Sequence, residues 1–349
     1  MLIRISHTAP PSRVRMLAVL LSVQALVNPG VTCRSTPATC AQPSMSSTAI
    51  DKPFGAWPSP VSAKFITTSG VRLGGLSLDD NDQLFWLEGR PQEKGRNAVV
   101  RFVGADAPGA SERGAVDLTP MEVNVRTRVH EYGGGAYLQG PGGGIIYSEF
   151  ASQRLYWLKD GEFAEEGAAP PLCLTPESMW PDGQYRFADG CVVSSEWIVC
   201  VREDHGPSGD AKPSEVVNEV VALALDGSGA MRVLASGRDF YAHPRISPDG
   251  AHVAYVAWDH PSMPWDFTEL RVTPFSDEAS GASASTDTHT LIAGGDGDTS
   301  VLQPAWHPQS GALYFISDAS GYYNLYRVGA SALGMPPRLM VPMDTDLGG

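Results

Sequence analysis

Residues 126–135 read RTRVHEYGGG and form the densest cluster of chemically active side chains in the sequence. Arg126, Arg128, His130 and Glu131 put two guanidinium groups, an imidazole and a carboxylate within six positions. Such a set can orient the charged end of a substrate or bridge to a second domain. It can equally form a buried charge-paired network, with Arg126 or Arg128 as the partner, because an isolated buried charge is costly. Gly133, Gly134 and Gly135 follow. A glycine run lets backbone approach a ligand closely, and it also marks a bulge or a tight turn between strands. A second charged group, Arg202, Glu203, Asp204 and His205, comes directly after an apolar run and is expected at a strand end. A third, Asp259, His260 and Asp266, holds the carboxylates and imidazole of a metal site within eight positions. Pro261 and Pro264 argue instead for a rigid loop in which Trp265 packs. With no C-x-x-C and no H-x-x-x-H pair, neither a metal nor another cofactor is expected.

The elements that must position these residues are short strands. Apolar content is 42% and charged content only 18%, with 37 glycines and 28 prolines. That mix fits many strands joined by tight turns. No stretch of twelve residues after position 75 sustains a helical period, so alternating strand–helix units are not expected. Apolar runs begin at Leu84, Ile145, Ile198, Val253 and Leu313, with spacings of 61, 53, 55 and 60. A soft period in the fifties with several strands per period predicts a β-propeller of four-stranded blades. Pro244 to Gly250 and Pro304 to Gly311 precede two of these runs and read as turns, with proline setting the backbone and glycine closing it. The stretch 275–298, rich in Ser, Ala, Gly and Asp, reads as an exposed loop between strands.

The first 50 residues are a separate object. They hold no Asp or Glu but do hold Arg4, Arg13, Arg15 and Arg34. This basic, Ser/Thr-rich leader has the composition of an organellar transit peptide, with a plastid expected first and secretion or a mitochondrion as alternatives. Its twelve-residue apolar run, Met16 to Val27, is too short to span a bilayer. The formal charge of −14 becomes about −18 without the leader's four arginines, which argues against nucleic acid as a partner. No membrane partner is expected either. Outside the leader's Cys33 and Cys40, three cysteines remain, an odd number that makes no disulfide framework. Cys191 and Cys200 would face each other across a hairpin turning at Ser195-Glu196, as buried free thiols in preference to a bridge.

Several stretches resemble the amino-terminal propeller of the prolyl oligopeptidase family of serine peptidases, in its dipeptidyl aminopeptidase or acylaminoacyl-peptidase-like branch. They are residues 54–63, 70–91, 124–137, 200–205, 239–250, 258–270 and 317–328, of which RVHEYGGG and DHPSMPW are the most specific. The resemblance implies an all-β fold: a propeller domain over residues 51–345, of six to seven blades when complete. It implies a gate that selects peptides for a carboxy-terminal α/β-hydrolase domain, which carries the catalytic Ser, Asp and His. In a related branch, acidic propeller residues hold the substrate's free amine, which makes Glu203 and Asp204 candidates by chemistry. The nucleophile elbow G-x-S-x-G is absent; Gly206-Pro207-Ser208-Gly209-Asp210 has its second glycine misplaced. No catalytic residue is therefore assigned, residues 346–349 read as a truncated end, and the chain alone is expected to be inactive. The substrate-binding or interdomain candidates are Arg128, His130, Glu131, Arg202, Glu203 and Asp204. The alternative is a stand-alone propeller that binds a protein or peptide partner.

Overall fold

The computed structural model describes residues 53–347, except 54, 57, 58, 60, 69, 80, 105, 108, 112, 113, 160–168 and 277–288. The leader, with Cys33 and Cys40, lies outside the described residues. A six-residue helix, α1 (Ala63–Thr68), precedes the first strand. Among the described residues, no helix is long and apolar enough to cross a membrane.

Five antiparallel sheets of four strands follow. Blade 1 comprises β1 (Arg72–Leu78), β2 (Leu84–Arg90), β3 (Arg96–Phe102) and β4 (Ala115–Asp117). Blade 2 comprises β5 (Tyr137–Gln139), β6 (Ile145–Ser148), β7 (Leu155–Leu158) and β8 (Leu172–Cys173). Blade 3 comprises β9 (Tyr185–Val192), β10 (Trp197–Asp204), β11 (Val217–Ala224) and β12 (Met231–Ala235). Blade 4 comprises β13 (Phe240–Ile246), β14 (His252–Trp258), β15 (Glu269–Pro274) and β16 (Thr290–Ala293). Blade 5 comprises β17 (Val301–Trp306), β18 (Leu313–Ser317), β19 (Asn324–Val328) and β20 (Arg338–Val341). Strands adjacent in each sheet are consecutive in sequence. The first strands touch in the order β1, β5, β9, β13, β17, so the blades stand side by side about an axis. The five periodic apolar runs are the second strands of the five blades.

The core lies between blades rather than within them. Along β10, Ile198 and Cys200 face blade 2 with Ile146 and Leu155, whereas Val199 and Val201 face blade 4 with Tyr241 and Tyr255. Both faces are therefore apolar, and the strand reads as a continuous run rather than an alternation. Blades 1 and 2 meet through Phe85, Val99, Ile145 and Tyr147, and blades 4 and 5 through Ala254, Val256, Leu313 and Phe315.

The structure corrects four expectations. First, Pro244 and Pro304 do not set turns. Each follows a left-handed residue, His243 (φ 52) or Gln303 (φ 54), in a β-bulge inside a first strand. Proline has no N–H for the ladder, and a bulge is where a strand tolerates it. The reversals come later, at Pro248–Gly250 and Pro308–Gly311. Second, Cys191 and Cys200 do not face each other. The hairpin forms, but its turn pairs Val192 with Ile198, one residue out of the expected register, so Cys191 pairs with Val199. Cys191 packs toward blade 4 and Cys200 toward blade 2, both as free thiols. Burial pushes both thiols up, which makes them poor nucleophiles. Third, stretch 275–298 is not only a loop. Phe275 is buried and β16 completes blade 4. Fourth, Trp265 does not pack; it is 62% exposed.

Candidate functional site

In each blade the second strand ends, and the third begins, at the same mouth of the propeller. The charged groups collect there. β10 runs on through Arg202 and Glu203 to Asp204, so these residues belong to the strand's last turn of pairing and not to a loop beyond it. Asp204 pairs with Tyr185 at the start of β9 and with Val217 at the start of β11.

Residues 127–135 lead into β5 of blade 2 but lie against blades 3 and 4. Val129 is 1% exposed and inserts into the layer between those two blades. His130 and Glu131 both adopt left-handed backbone (φ 56 and 65), which is uncommon without a glycine. The His130 N–H donates to Glu203 Oε1 at 2.7 Å, and Glu203 Oε2 meets His205 Nε2 at 2.9 Å. Glu203 and His205 are each 3% exposed. The His130 ring packs edge-on against Phe240 (5.4 Å) and Trp258 (5.4 Å) of blade 4, and 5.6 Å from Tyr132. Burial holds the His130 imidazole below its ordinary pKa, outweighing the opposing pull of Glu203 and Asp189. The ring is therefore neutral near pH 7.

Gly134 and Gly135 bring backbone close to Asp189 of the neighbouring blade, whereas Gly133 meets Thr127 O of its own segment. Gly135 N–H donates to Asp189 Oδ1 at 2.6 Å, and a Cβ at Gly135 would stand 2.9 Å from that oxygen. Asp189 Oδ2 accepts from His243 N–H at 3.1 Å, so one carboxylate in the β9 bulge ties blade 2 to blade 4.

The partners expected for His130 and Glu131 are corrected. Arg126 and Arg128 lie over the Phe150 ring, at 5.0 Å and 4.5 Å. Glu131 pairs with Arg186 of β9 at 2.7 Å, and the same guanidinium donates to Arg128 O at 3.1 Å. Arg202 pairs with Glu219 across the β10–β11 ladder and lies 4.6 Å over the Tyr185 ring. Asp204 accepts the Gly206 N–H at 2.9 Å and closes the turn after β10. The six sequence candidates thus come together at one mouth, each with a partner inside the propeller. Asp259 and Asp266 have separate partners. Asp259 pairs with Arg238 at 2.7 Å, and Asp266 accepts the Met263 N–H. Sequence reasoning missed Asp189 and Arg186, which sit inside an apolar strand with no pattern to mark them.

No family model matches the chain, and no curated protein does. Solved structures do. A puromycin-hydrolyzing peptidase from Mycobacterium tuberculosis is 34% identical, with a TM-score of 0.67. The match covers 84% of this chain and 42% of that one. A puromycin hydrolase is 30% identical over the same shares of the two chains, with a TM-score of 0.68. Prolyl oligopeptidase B from Galerina marginata, at 10% identity and a TM-score of 0.52, covers 80% of this chain and 39% of that one, and shares the fold alone. The chain spans less than half the length of each. In sequence and in blade architecture, it matches the propeller part of peptidases of the prolyl oligopeptidase family.

Proposed function

We propose that this chain is the gating and substrate-selecting propeller of a prolyl oligopeptidase-family serine peptidase that releases dipeptides or acylated amino acids. The observation that carries the reading is the distribution of exposed apolar surface. Val217, Met263, Trp265, Tyr322 and Met343 are all exposed at the mouth that holds the charged cluster. Helix α1 lies beside the β2–β3 connection at this same mouth, and Met343 bonds to Asn324 there. Surface of this kind marks a docking site for protein. A hydrolase domain seated on it would leave the propeller channel and the seam as the routes to the nucleophile. Extended peptides would pass and folded proteins would not.

The same reading gives residues 1–50 a targeting role, with the plastid as first destination. Immunoblotting of source extracts with an antibody to this chain tests the peptidase reading. A band at roughly twice the chain's 37.2 kDa is expected, because a hydrolase domain is of ordinary domain size. A band at or below 37.2 kDa rejects it and directs the search to a partner of a stand-alone propeller.

A further inference from the structure

We propose that Tyr132 selects the substrate at this mouth by taking an apolar side chain of the peptide against its ring. The inference rests on the peptide-gating reading and adds the residue and the chemistry to it.

Glu203 and Asp189 at this mouth are committed to the fold. Glu203 uses one oxygen on the His130 N–H and the other on His205. Asp189 uses its two oxygens on Gly135 and His243. Glu131 pairs with Arg186, and Asp204 closes a turn. A peptide amine arriving at Glu203 or Asp189 would have to displace a bond that joins blades. Tyr132 is different. It is 64% exposed, in a segment held down by the buried Thr127 and Val129.

The position of the Tyr132 ring is also braced. His130 lies beneath it at 5.6 Å and is itself wedged against Phe240 and Trp258. The His130 ring fills the space between Tyr132 and the aromatic rings of blade 4. Two consecutive left-handed residues and Gly133 (φ 100) set the loop that presents the tyrosine. Unusual backbone held by over-determined anchors is a feature of ligand clamps and active sites. A rigid, exposed aromatic presents contact area with little conformational freedom to lose on binding. Its complement is an aromatic or aliphatic side chain.

The test uses this chain and a tripeptide amide whose first residue is p-benzoylphenylalanine. After irradiation, adducts are mapped by digestion and mass spectrometry. Adducts on residues 130–134 are expected, with yield reduced at least five-fold in Y132A and retained in Y132F. The wild-type yield should fall under competition from the phenylalanine analogue of the tripeptide, and not from the serine analogue, a readout that needs no variant. Adducts elsewhere on this mouth, unchanged in Y132A, overturn the role of Tyr132 and leave peptide gating standing. The absence of adducts anywhere on this mouth overturns both.

Discussion

His130, His243 and His289 are each held below the ordinary imidazole pKa, in every case chiefly by burial. His130 faces Glu203 and Asp189, which oppose the shift, and His243, which adds to it. His243 faces Asp189 and Arg245, and His289 faces Arg271. The unfolded chain protonates these rings near pH 6.5, whereas the folded protein does so only at lower pH. Their contribution is complete above about pH 6.5 and is lost as pH falls through the window below it. The depressed carboxyls Asp226, Asp249, Asp296 and Glu269 act in a more acidic window, below their ordinary range near pH 4. Thermal melts between pH 7.5 and 5.5 should therefore show a falling Tm. His130→Asn, which cannot titrate and tolerates left-handed backbone, should flatten the slope. A wild-type Tm constant across that range would refute this account.

Four of the five first strands carry the same device. A left-handed residue opens a bulge at Gly75, Asp189, His243 and Gln303. A bulge re-aims the strand and leaves a residue free of the ladder. Here the freed groups join blades. Tyr137 donates its hydroxyl to Gly75 O, Asp189 takes backbone donors from the blades on both sides, and Trp306 Nε1 reaches Arg245 O just after the His243 bulge. Gly135 tests the arrangement. Its φ is ordinary, so only space forbids a side chain. Gly135→Ala should push Asp189 away and cost about 2 kcal/mol, as expected for disturbing a charge-assisted hydrogen bond that joins two blades. Gly70→Ala, which meets nothing within 4 Å, should change stability by less than about 0.5 kcal/mol. Urea unfolding midpoints measure both, and equal midpoints for the two variants would reject the clamp.

At the scale of the molecule, one mouth gathers the buried ion pairs, the braced Tyr132 and the exposed apolar side chains. The opposite ends of the blades carry the Pro-Asp-Gly and Pro-Gln-Ser-Gly turns and shallow grooves of about 410 and 460 Å³ lined by Trp306, Pro248 and Pro308. The leader is tested separately from this body. Fused to a fluorescent reporter, residues 1–50 should direct it to an organelle, the plastid first. Diffuse cytosolic fluorescence would count against a targeting role.

The second strands, from Leu84, Ile145, Ile198, Val253 and Leu313, were legible because each is buried on both faces and reads as an unbroken apolar run. Their spacing determined the blade repeat, and with it the propeller. First and fourth strands such as β13 and β16 were not legible, because they lie at the sheet edges, where bulges, prolines and polar residues break the pattern. The cluster at 126–135 stood out by composition, and its glycines correctly announced close backbone approach. Only the tertiary structure decided what it approaches. Glu131 meets Arg186 and His130 meets Glu203 across 55 and 73 positions of chain, a pairing set by left-handed backbone and blade packing. Local sequence carries strand identity because burial is local to each strand. It does not carry the partners of a charged side chain, which depend on which blades the fold sets side by side.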